Sequence, residues 1–245
     1  MNEWELPEGL PPGRLAGSLW VSRECLPDVY TRWRSFLGDP ALEPLLLRGF
    51  QPPATVRQNI NVPPEWLKRN LGRPWHSGEL EEPTDPSLID QVDPATLLKR
   101  WWRQKFGRQG WRGLAPAEPA GPDPAQFAAQ IESTSLLKGD DAFLGLVPAP
   151  NSAAALALSG WISRRGQIHE DAALLRSWQQ RFGVRLCALR IDTLTLSVAW
   201  PPRSLETARL LAAEHLAYND NVARDHLDDY AAELIDAPTW DFWWD

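Results

Sequence analysis

Four residues near the carboxyl-terminal end of the chain combine side chains that acid–base chemistry uses. Glu214 and His215 are adjacent in a predicted helix, and Asp220 and Asn221 follow shortly after them. A carboxylate and an imidazole can exchange protons near neutral pH, and the same groups can bind a metal ion. Their spacing matches no established catalytic or metal-binding motif. The pattern therefore favours a capped helix end followed by a polar turn, with an acid–base cluster as the alternative.

A second set of ionisable residues lies a few positions further on. His226 and Asp229 are three residues apart, so a helix would place them on one face, where they could share a metal ion with His215. The acidic and basic residues around them are more typical of a solvated helix face. We therefore predict no metal site, and no cofactor motif is present elsewhere in the sequence.

A basic and aromatic segment spans residues 99–112, with six basic residues, four aromatic residues and no acid. Such alternation suits single-stranded nucleic acid, because bases stack on rings while cations meet phosphates. It equally suits an amphipathic helix that buries Trp101 and Trp102 and leaves Arg103 and Arg108 in solvent. The formal net charge of −7 favours the helix, so nucleic-acid binding is not expected.

The chain contains 14 tryptophans against three tyrosines and seven phenylalanines. Most should be core residues, because tryptophan buries a large apolar area. Tryptophan is also enriched at the energetic centres of protein interfaces. Trp161, Trp240 and Trp243 are therefore candidates for a partner-binding surface, and burial in a central strand is the alternative for the terminal pair.

Helices and strands alternate clearly in the carboxyl-terminal region. The patterns predict strands at 143–147 and around a hairpin turn at Asp192-Thr193, and a terminal strand in which Trp240, Phe242 and Trp244 share one face. Helices are predicted at 152–158, 170–182, 205–218 and about 223–235, with a strand as the alternative for 152–158. This order is that of a split βαβ, ferredoxin-like unit. The fold class is therefore predicted as α/β (α+β), with a mixed sheet and helices.

The amino-terminal region is expected to be rich in loops. A strand at 18–22, a helix at 26–37 and a strand in the apolar run 44–50 predict a parallel unit. Helices are predicted at 64–70 and 94–106, with a turn at 73–80. The proline-rich run at 115–125 is predicted as a linker or surface loop between an amino-terminal region, residues 1–114, and a carboxyl-terminal region, residues 126–245. The two regions either pack as one unit or form separate domains.

Several short motifs resemble a bacterial family known as domain of unknown function 4253 (DUF4253). The matching positions are Leu146 to Ala149, Gly160-Trp161, Arg176 to Trp178, Arg181 to Gly183, Asp192 to Leu194, Pro201-Pro202, Ala213 to His215, Asp220-Asn221 and Trp240 to Asp245. The resemblance is clearest over residues 143–245. Pro44 to Leu47, Pro74 to Glu79 and Trp102 extend it upstream. Tyr218-Asn219 stand where relatives often have Cys-Pro, which argues against a thiol-based role. The resemblance supports the fold and implies no activity.

These observations predict a cytoplasmic bacterial protein that binds another protein without catalysis, as an accessory or immunity-like factor. Cys25 and Cys187 lie far apart, and neither a leader pattern nor an apolar run of bilayer length is present, so no membrane association is expected. A hydrolase-like enzyme using Glu214, His215 and Asp220 is the alternative, and single-stranded nucleic-acid binding through 99–112 is the third. Self-association into a homo-oligomer stays open.

Overall fold

The described residues of the chain form seven strands, seven α-helices and one 3-10 helix. The computed structural model describes residues 6–48, 83–108, 110–132, 136, 142–161, 167–190, 192–219, 221 and 226–244. The strands are β1 (Gly13–Ala16), β2 (Leu19–Ser22), β3 (Glu43–Leu47), β4 (Phe143–Val147), β5 (Val184–Leu189), β6 (Thr193–Val198) and β7 (Thr239–Trp243).

The α-helices are α1 (Val29–Ser35), α2 (Pro94–Phe106), α3 (Pro124–Gln130), α4 (Ser152–Leu158), α5 (Ile168–Phe182), α6 (Leu205–Tyr218) and α7 (Leu227–Leu234). The 3-10 helix is Pro86–Gln91. Local signals fix several of these bounds. Asp93 and Ser204 each accept a backbone N–H bond at the start of their helices, and Gly183 ends α5 in the left-handed region with φ 61°. The helix and strand assignments predicted for the carboxyl-terminal region are confirmed in the part of the chain that the structure describes; residues 223–225, at the predicted start of α7, lie outside it.

All seven strands belong to one mixed sheet, in the order β1-β2-β4-β3-β5-β6-β7. Strands β3 and β5 are the parallel pair, and every other neighbouring pair is antiparallel. The predicted α/β class with a mixed sheet is therefore confirmed. Strands β2 and β3 run in the same direction, as predicted for a parallel unit, but β4 lies between them.

The strand order differs from the ferredoxin-like order predicted for the carboxyl-terminal region. Strand β3, from the amino-terminal region, lies between β4 and β5, and β7 pairs with β6 at the edge. A ferredoxin-like unit connects parallel strands through one helix. Here helices α6 and α7 pack together between β6 and β7. Such a helix pair returns the chain to the end of the sheet that it left, so the next strand is antiparallel.

Both faces of the sheet are covered for much of its area. Helices α2, α4, α5, α6 and α7 pack on the face that carries Leu45, Leu47 and Leu196, and they form the larger core. Helices α1 and α3 pack on the face that carries Leu46 and Leu144. The alternation of side chains along each strand produces this division. Towards β7, Asp241 and Trp243 on the second face are exposed to solvent.

The proline-rich run at 115–125 is anchored to the carboxyl-terminal region by backbone and side-chain contacts. The backbone N–H of Glu118 donates to the carbonyl of Arg181 at 3.0 Å. The indole of Trp200 donates to the carbonyl of Pro122 at 2.9 Å. Helix α3 begins within this run, at Pro124. The segment therefore crosses the surface in contact with the ends of α5 and β6.

Some of the amino-terminal predictions lie outside the described residues. The predicted helix at 64–70 and the predicted turn at 73–80 belong to this group. The helix predicted at 94–106 is confirmed as α2. In the portions of the chain that the structure describes, no helix has the length and apolarity that a bilayer crossing would require.

Candidate functional site

Glu214 lies in the second half of α6 and is fully buried. Its carboxylate accepts two hydrogen bonds from the guanidinium of Arg181, both at 2.7 Å, and one from the indole of Trp178 at 3.0 Å. The backbone N–H of Ala115 donates a fourth at 2.7 Å. Arg181 also donates to the carbonyl of Ala115. The carboxylate therefore joins α5, α6 and the proline-rich segment, and its oxygens are occupied by these structural bonds.

The pairing of Glu214 with Arg181 follows from the helix periodicity of α5. Trp178 and Arg181 are three residues apart, so both lie on the face of α5 that meets α6. A two-pronged arginine–carboxylate pair is among the stronger hydrogen-bonded contacts in proteins. Removing either charge would leave the other buried without its partner. Glu214 therefore has a structural role, because its carboxylate holds α5, α6 and the proline-rich segment together.

His215 is fully buried in a cluster of aromatic rings. Its ring centroid lies 4.7 Å from that of Trp240, 4.8 Å from that of Phe242 and 5.1 Å from that of Trp178. Nδ1 shares a hydrogen bond of 2.8 Å with the hydroxyl of Tyr230. Burial, with a smaller contribution from the charge of Arg181, lowers the pKa of His215 to about 3. The imidazole is therefore neutral at physiological pH.

Glu214 and His215 point to different partners, although they are adjacent in sequence. Successive residues of an α-helix diverge by about 100°, which sends Glu214 towards Arg181 and His215 towards Tyr230. The side chain of Asn221 donates to the backbone carbonyl of Trp243. Asp220 lies outside the described residues. The described members of the predicted acid–base cluster thus do not converge on a common point.

No set of three or more metal-binding side chains comes together within the described stretches of the chain. His226 and Asp229 approach each other, with 3.6 Å between Nδ1 and Oδ2, and both side chains are largely exposed. His215 is buried elsewhere and bonded to Tyr230. The arrangement is that of a solvated helix face.

The basic segment 99–112 lies mainly in α2, with its large rings turned inward. Trp101 and Trp102 are each 3% exposed, whereas Arg103 and Arg108 are exposed. Lys105 donates to the carbonyl of Leu216 at 2.7 Å, which fixes α2 against α6. The two buried rings offer no face on which a base could stack. The segment has the amphipathic arrangement that its periodicity indicates.

The tryptophans proposed for a partner surface differ strongly in exposure. Trp161 and Trp240 are 1% and 2% exposed, and the indole of Trp161 donates to the carbonyl of Arg190 at 2.8 Å. Trp243 is 49% exposed. Strand β7 explains the contrast, because Trp240 and Phe242 face the helices while Asp241 and Trp243 face the other way.

Two clefts flank the exposed face of β7. The first has a volume of about 320 Å³. It is lined by Asn219, Asn221, His226, Asp229, Tyr230, Glu233, Asp241, Phe242 and Trp243. The carbonyl of Trp243 accepts a hydrogen bond of 2.8 Å from the side chain of Asn219, which fixes the strand end beside this cleft. Trp243 and Asp241 are shared by both clefts.

The second cleft has a volume of about 160 Å³ and contains two arginines that the sequence did not single out. It is lined by Arg48, Leu136, Ala188, Leu189, Arg190, Thr193, Thr195, Asp241 and Trp243. Arg48 is 4% exposed. Burial, and then the charge of Arg190, lower the pKa of Arg48 to about 10, against the opposing influence of Asp241. The signal that could have revealed the pair is that each arginine directly follows an apolar strand.

Residues 143–245 match the model of one protein family, described as domain of unknown function (DUF4253). The match confirms the resemblance predicted from the short motifs over this range. It covers Trp178, Glu214, His215 and β7. No match was found among curated proteins or among solved structures.

Proposed function

We propose that this chain, whose residues 143–245 match the DUF4253 family, binds another protein and catalyses no reaction. The contact surface is the Trp243 surface, comprising Asn221, Tyr230, Glu233, Asp241 and Trp243. The observation that carries the proposal is the 49% exposure of Trp243 on a strand whose other tryptophan, Trp240, is buried. An exposed tryptophan beside a cleft is a typical anchor for a partner, because it offers a large apolar area at low entropic cost.

The rim of the first cleft indicates the chemistry of the partner. Asp229, Glu233 and Asp241 line it, and His226 is the basic residue among its described lining residues. The chain as a whole carries a formal charge of −7. Complementary charge accelerates association and excludes partners of like charge. The partner should therefore present a lysine or arginine beside an apolar side chain that packs on Trp243.

The hydrolase-like and nucleic-acid alternatives gain no comparable support. Glu214 is held by Arg181, Trp178 and Ala115, and His215 is enclosed by aromatic rings. Trp101 and Trp102 are buried. An accessory or immunity-like role, in which the chain neutralises or escorts its partner, fits a binding surface made of an apolar anchor and acidic rim.

We place this activity in the cytoplasm of a bacterium. Cys187 is a buried thiol outside any disulfide. Reducing compartments keep thiols in this state. Burial also raises the pKa of Cys187 to about 11, so this thiol is inert and has a packing role. Fractionation of the native cell with an antibody against the chain tests the location, and recovery outside the cytoplasmic fraction would contradict it.

The binding proposal is tested with Trp243→Ala and a matched control, Leu205→Ala. Leu205 is 40% exposed at the start of α6 and lines neither cleft. Proteins captured by tagged wild type from the native lysate are identified, and the candidate partner is purified for affinity measurements with all three chains. We expect Trp243→Ala to weaken the complex about 30-fold, as for an interface centre, and Leu205→Ala to leave it unchanged.

Charge variants sharpen the same experiment. Asp229→Asn with Glu233→Gln should reduce the association rate and its dependence on salt, because both carboxylates lie on the rim. Equal affinities of wild type and Trp243→Ala for the purified partner would overturn the proposal. Self-association that Trp243→Ala abolishes would instead identify a second copy of the chain as the occupant and would also overturn it.

A further inference from the structure

The proline-rich segment lies on the surface with every third residue turned towards the protein. Ala115 is 2% exposed. Three residues later, the backbone N–H of Glu118 donates to the carbonyl of Arg181 at 3.0 Å. After three more residues, a Cβ atom at Gly121 would lie 3.1 Å from the indole of Trp200. A polyproline II helix has three residues per turn, so this spacing is the one expected when one edge of such a helix rests on a surface.

The sequence accounts for this conformation. Pro116, Pro119 and Pro122 fix their own φ angles at about −65°, and each restricts the residue before it to an extended backbone. Residues 115–121 belong to no helix or strand. Each proline directly follows one of the inward-facing residues, so the three prolines share the neighbouring edge of the polyproline II helix. All three are exposed.

Hydrogen bonds hold the segment in place at its start, middle and end. Arg181 donates to the carbonyl of Ala115 at 2.9 Å. The carboxylate of Glu118 accepts from a backbone N–H of the β6–α6 loop at 3.2 Å. The indole of Trp200 donates to the carbonyl of Pro122 at 2.9 Å. The segment therefore keeps its conformation by itself, and a partner would bind a pre-organised ligand.

Two edges of the polyproline II helix remain open to solvent. The first edge, the proline ridge, consists of Pro116, Pro119 and Pro122. Ala117 and Ala120 lie on the second edge, where both are exposed, and their methyl groups are too small to shield the proline rings. Among the described residues, the carbonyls of Pro116 and Pro119 accept no hydrogen bond. The ridge therefore offers apolar rings together with open backbone acceptors.

These properties restrict the class of partner. Proline-rich segments in this conformation bind protein grooves lined by aromatic side chains, which pack on the prolines. Indole and phenol groups of such a groove can also donate hydrogen bonds to backbone carbonyls. Residues 115–125 contain two acids and no basic residue, so the segment does not fit nucleic acid or an anionic membrane. A protein groove is the occupant that matches the exposed surface.

We propose that the proline ridge is the docking site of a protein domain whose aromatic-lined groove recognises polyproline II helices. This inference goes beyond the proposed function and does not depend on it, because the ridge shares no residue with the Trp243 surface. The ridge is held by the ends of α5 and β6. The chain thus has two protein-binding surfaces, one with an acidic rim around a tryptophan and one formed by proline rings.

The test begins with capture from the native lysate by three tagged full chains. These are the wild type, Trp243→Ala, and a double variant that combines Pro116→Ala with Pro119→Ala. We expect at least one protein that the wild type and Trp243→Ala recover and the double variant does not. This protein is then purified. Its affinity for the single variant Pro119→Ala should be about tenfold lower than for wild type, as expected for a residue at the centre of an interface.

NMR spectra of the full chain with the purified partner identify the chemistry of the contact. Aromatic rings that pack on the ridge should shift the ring protons of Pro116 and Pro119 upfield, because ring currents shield protons above a ring face. The proline signals are assigned from the two single variants. The amide signals of Ala117 and Ala120 should saturate at the same partner concentration as the proline signals.

Matched variants separate loss of the ridge from loss of structure. Pro150→Ala replaces an exposed proline between β4 and α4 and should leave the affinity unchanged. Ala120→Glu keeps every proline but adds a longer charged side chain to the second edge, so it should weaken binding as well. It provides the affinity data if the proline variants lower stability, which urea unfolding of each chain measures.

Equal recovery of every captured protein by wild type and the double variant would overturn the inference. A partner that leaves the proline ring protons unshifted, or that binds Pro119→Ala and Ala120→Glu as tightly as wild type, would overturn it too. A protein that depends on Pro119 but not on Trp243 supports the inference even if the Trp243 surface binds nothing. A protein that depends on both residues supports both proposals, so each proposal can fail separately.

Discussion

Each face of strand β7 carries a tryptophan, and the two tryptophans have different environments. On one face, Trp240 and Phe242 pack with His215 and Trp178 in a closed aromatic cluster. On the other, Trp243 is half exposed between two clefts. The difference shows that an aromatic or ionisable residue near the carboxyl terminus is informative about binding only once its face of the strand is known.

The same contrast applies to charged groups. Glu214 and Arg181 form a buried pair within the architecture, whereas Arg48 and Arg190 line a cleft. The most conspicuous chemical motif in the sequence, Glu214-His215, therefore belongs to the closed side of the molecule. Asp241 and Trp243, in contrast, lie on the opposite face of β7.

The largest effect is expected from Glu214→Ala. This change leaves Arg181, whose side chain is 12% exposed, without its buried partner, and the free energy of unfolding should fall by about 3–5 kcal/mol. The measurement is urea unfolding followed by circular dichroism. Asp228→Asn is the control, because it removes an exposed pair with Arg209 that solvent screens, and it should cost far less. Equal losses in both variants would show that the Glu214 pair is not a structural centre.

Replacing the two tryptophans of β7 tests the comparison of faces directly. Trp240→Ala should lower the free energy of unfolding by about 3–5 kcal/mol, because it opens a cavity among Trp178, Phe182 and His215. Trp243→Ala should change it by only about 0.5–1 kcal/mol, since the ring is half exposed. Thermal or urea unfolding of both variants provides the measurement. A similar loss in the two variants would mean that Trp243 is held by packing rather than kept available for a partner.

Local patterns predicted the elements of the carboxyl-terminal region because each carried its own signal. The alternation along 240–244 predicted which residues of β7 share a face, and Gly183 marked the end of α5. Helix periodicity alone separated the buried Trp101 and Trp102 from Arg103 and Arg108. These features depend on residues close together in the chain, which is why the sequence was sufficient for them.

The strand order, and the fact that Arg48 and Arg190 become neighbours, had no such local signal. Parallel pairing of β3 with β5 joins residues far apart in sequence, and nothing near Arg48 identifies Arg190 as its neighbour. The bond between Glu214 and Arg181 was hidden for the same reason, although both residues lie in the range that matches the family model. Contacts between residues far apart in the chain decided which charges meet one another.

The last prediction concerns the buried histidine and the dependence of stability on pH. The pKa of His215 is about 3 in the folded chain, against about 6.5 for an ordinary histidine, so the unfolded chain binds a proton that the folded chain excludes. Stability from this residue is therefore complete above pH 6.5. It should decline on acidification from about pH 6 towards pH 3, because the unfolded chain takes up the proton.

The measurement compares urea unfolding of wild type and His215→Asn at several pH values from neutral to mildly acidic. Asparagine places a polar group near the hydroxyl of Tyr230 but does not titrate, so the variant should lose some stability at neutral pH and show a shallower decline on acidification. Subtracting the two curves removes the contributions of Glu43 and other carboxylates that both chains share. Parallel curves would show that His215 accepts a proton in place, which would contradict the closed aromatic environment and reopen an acid–base role for this side of β7.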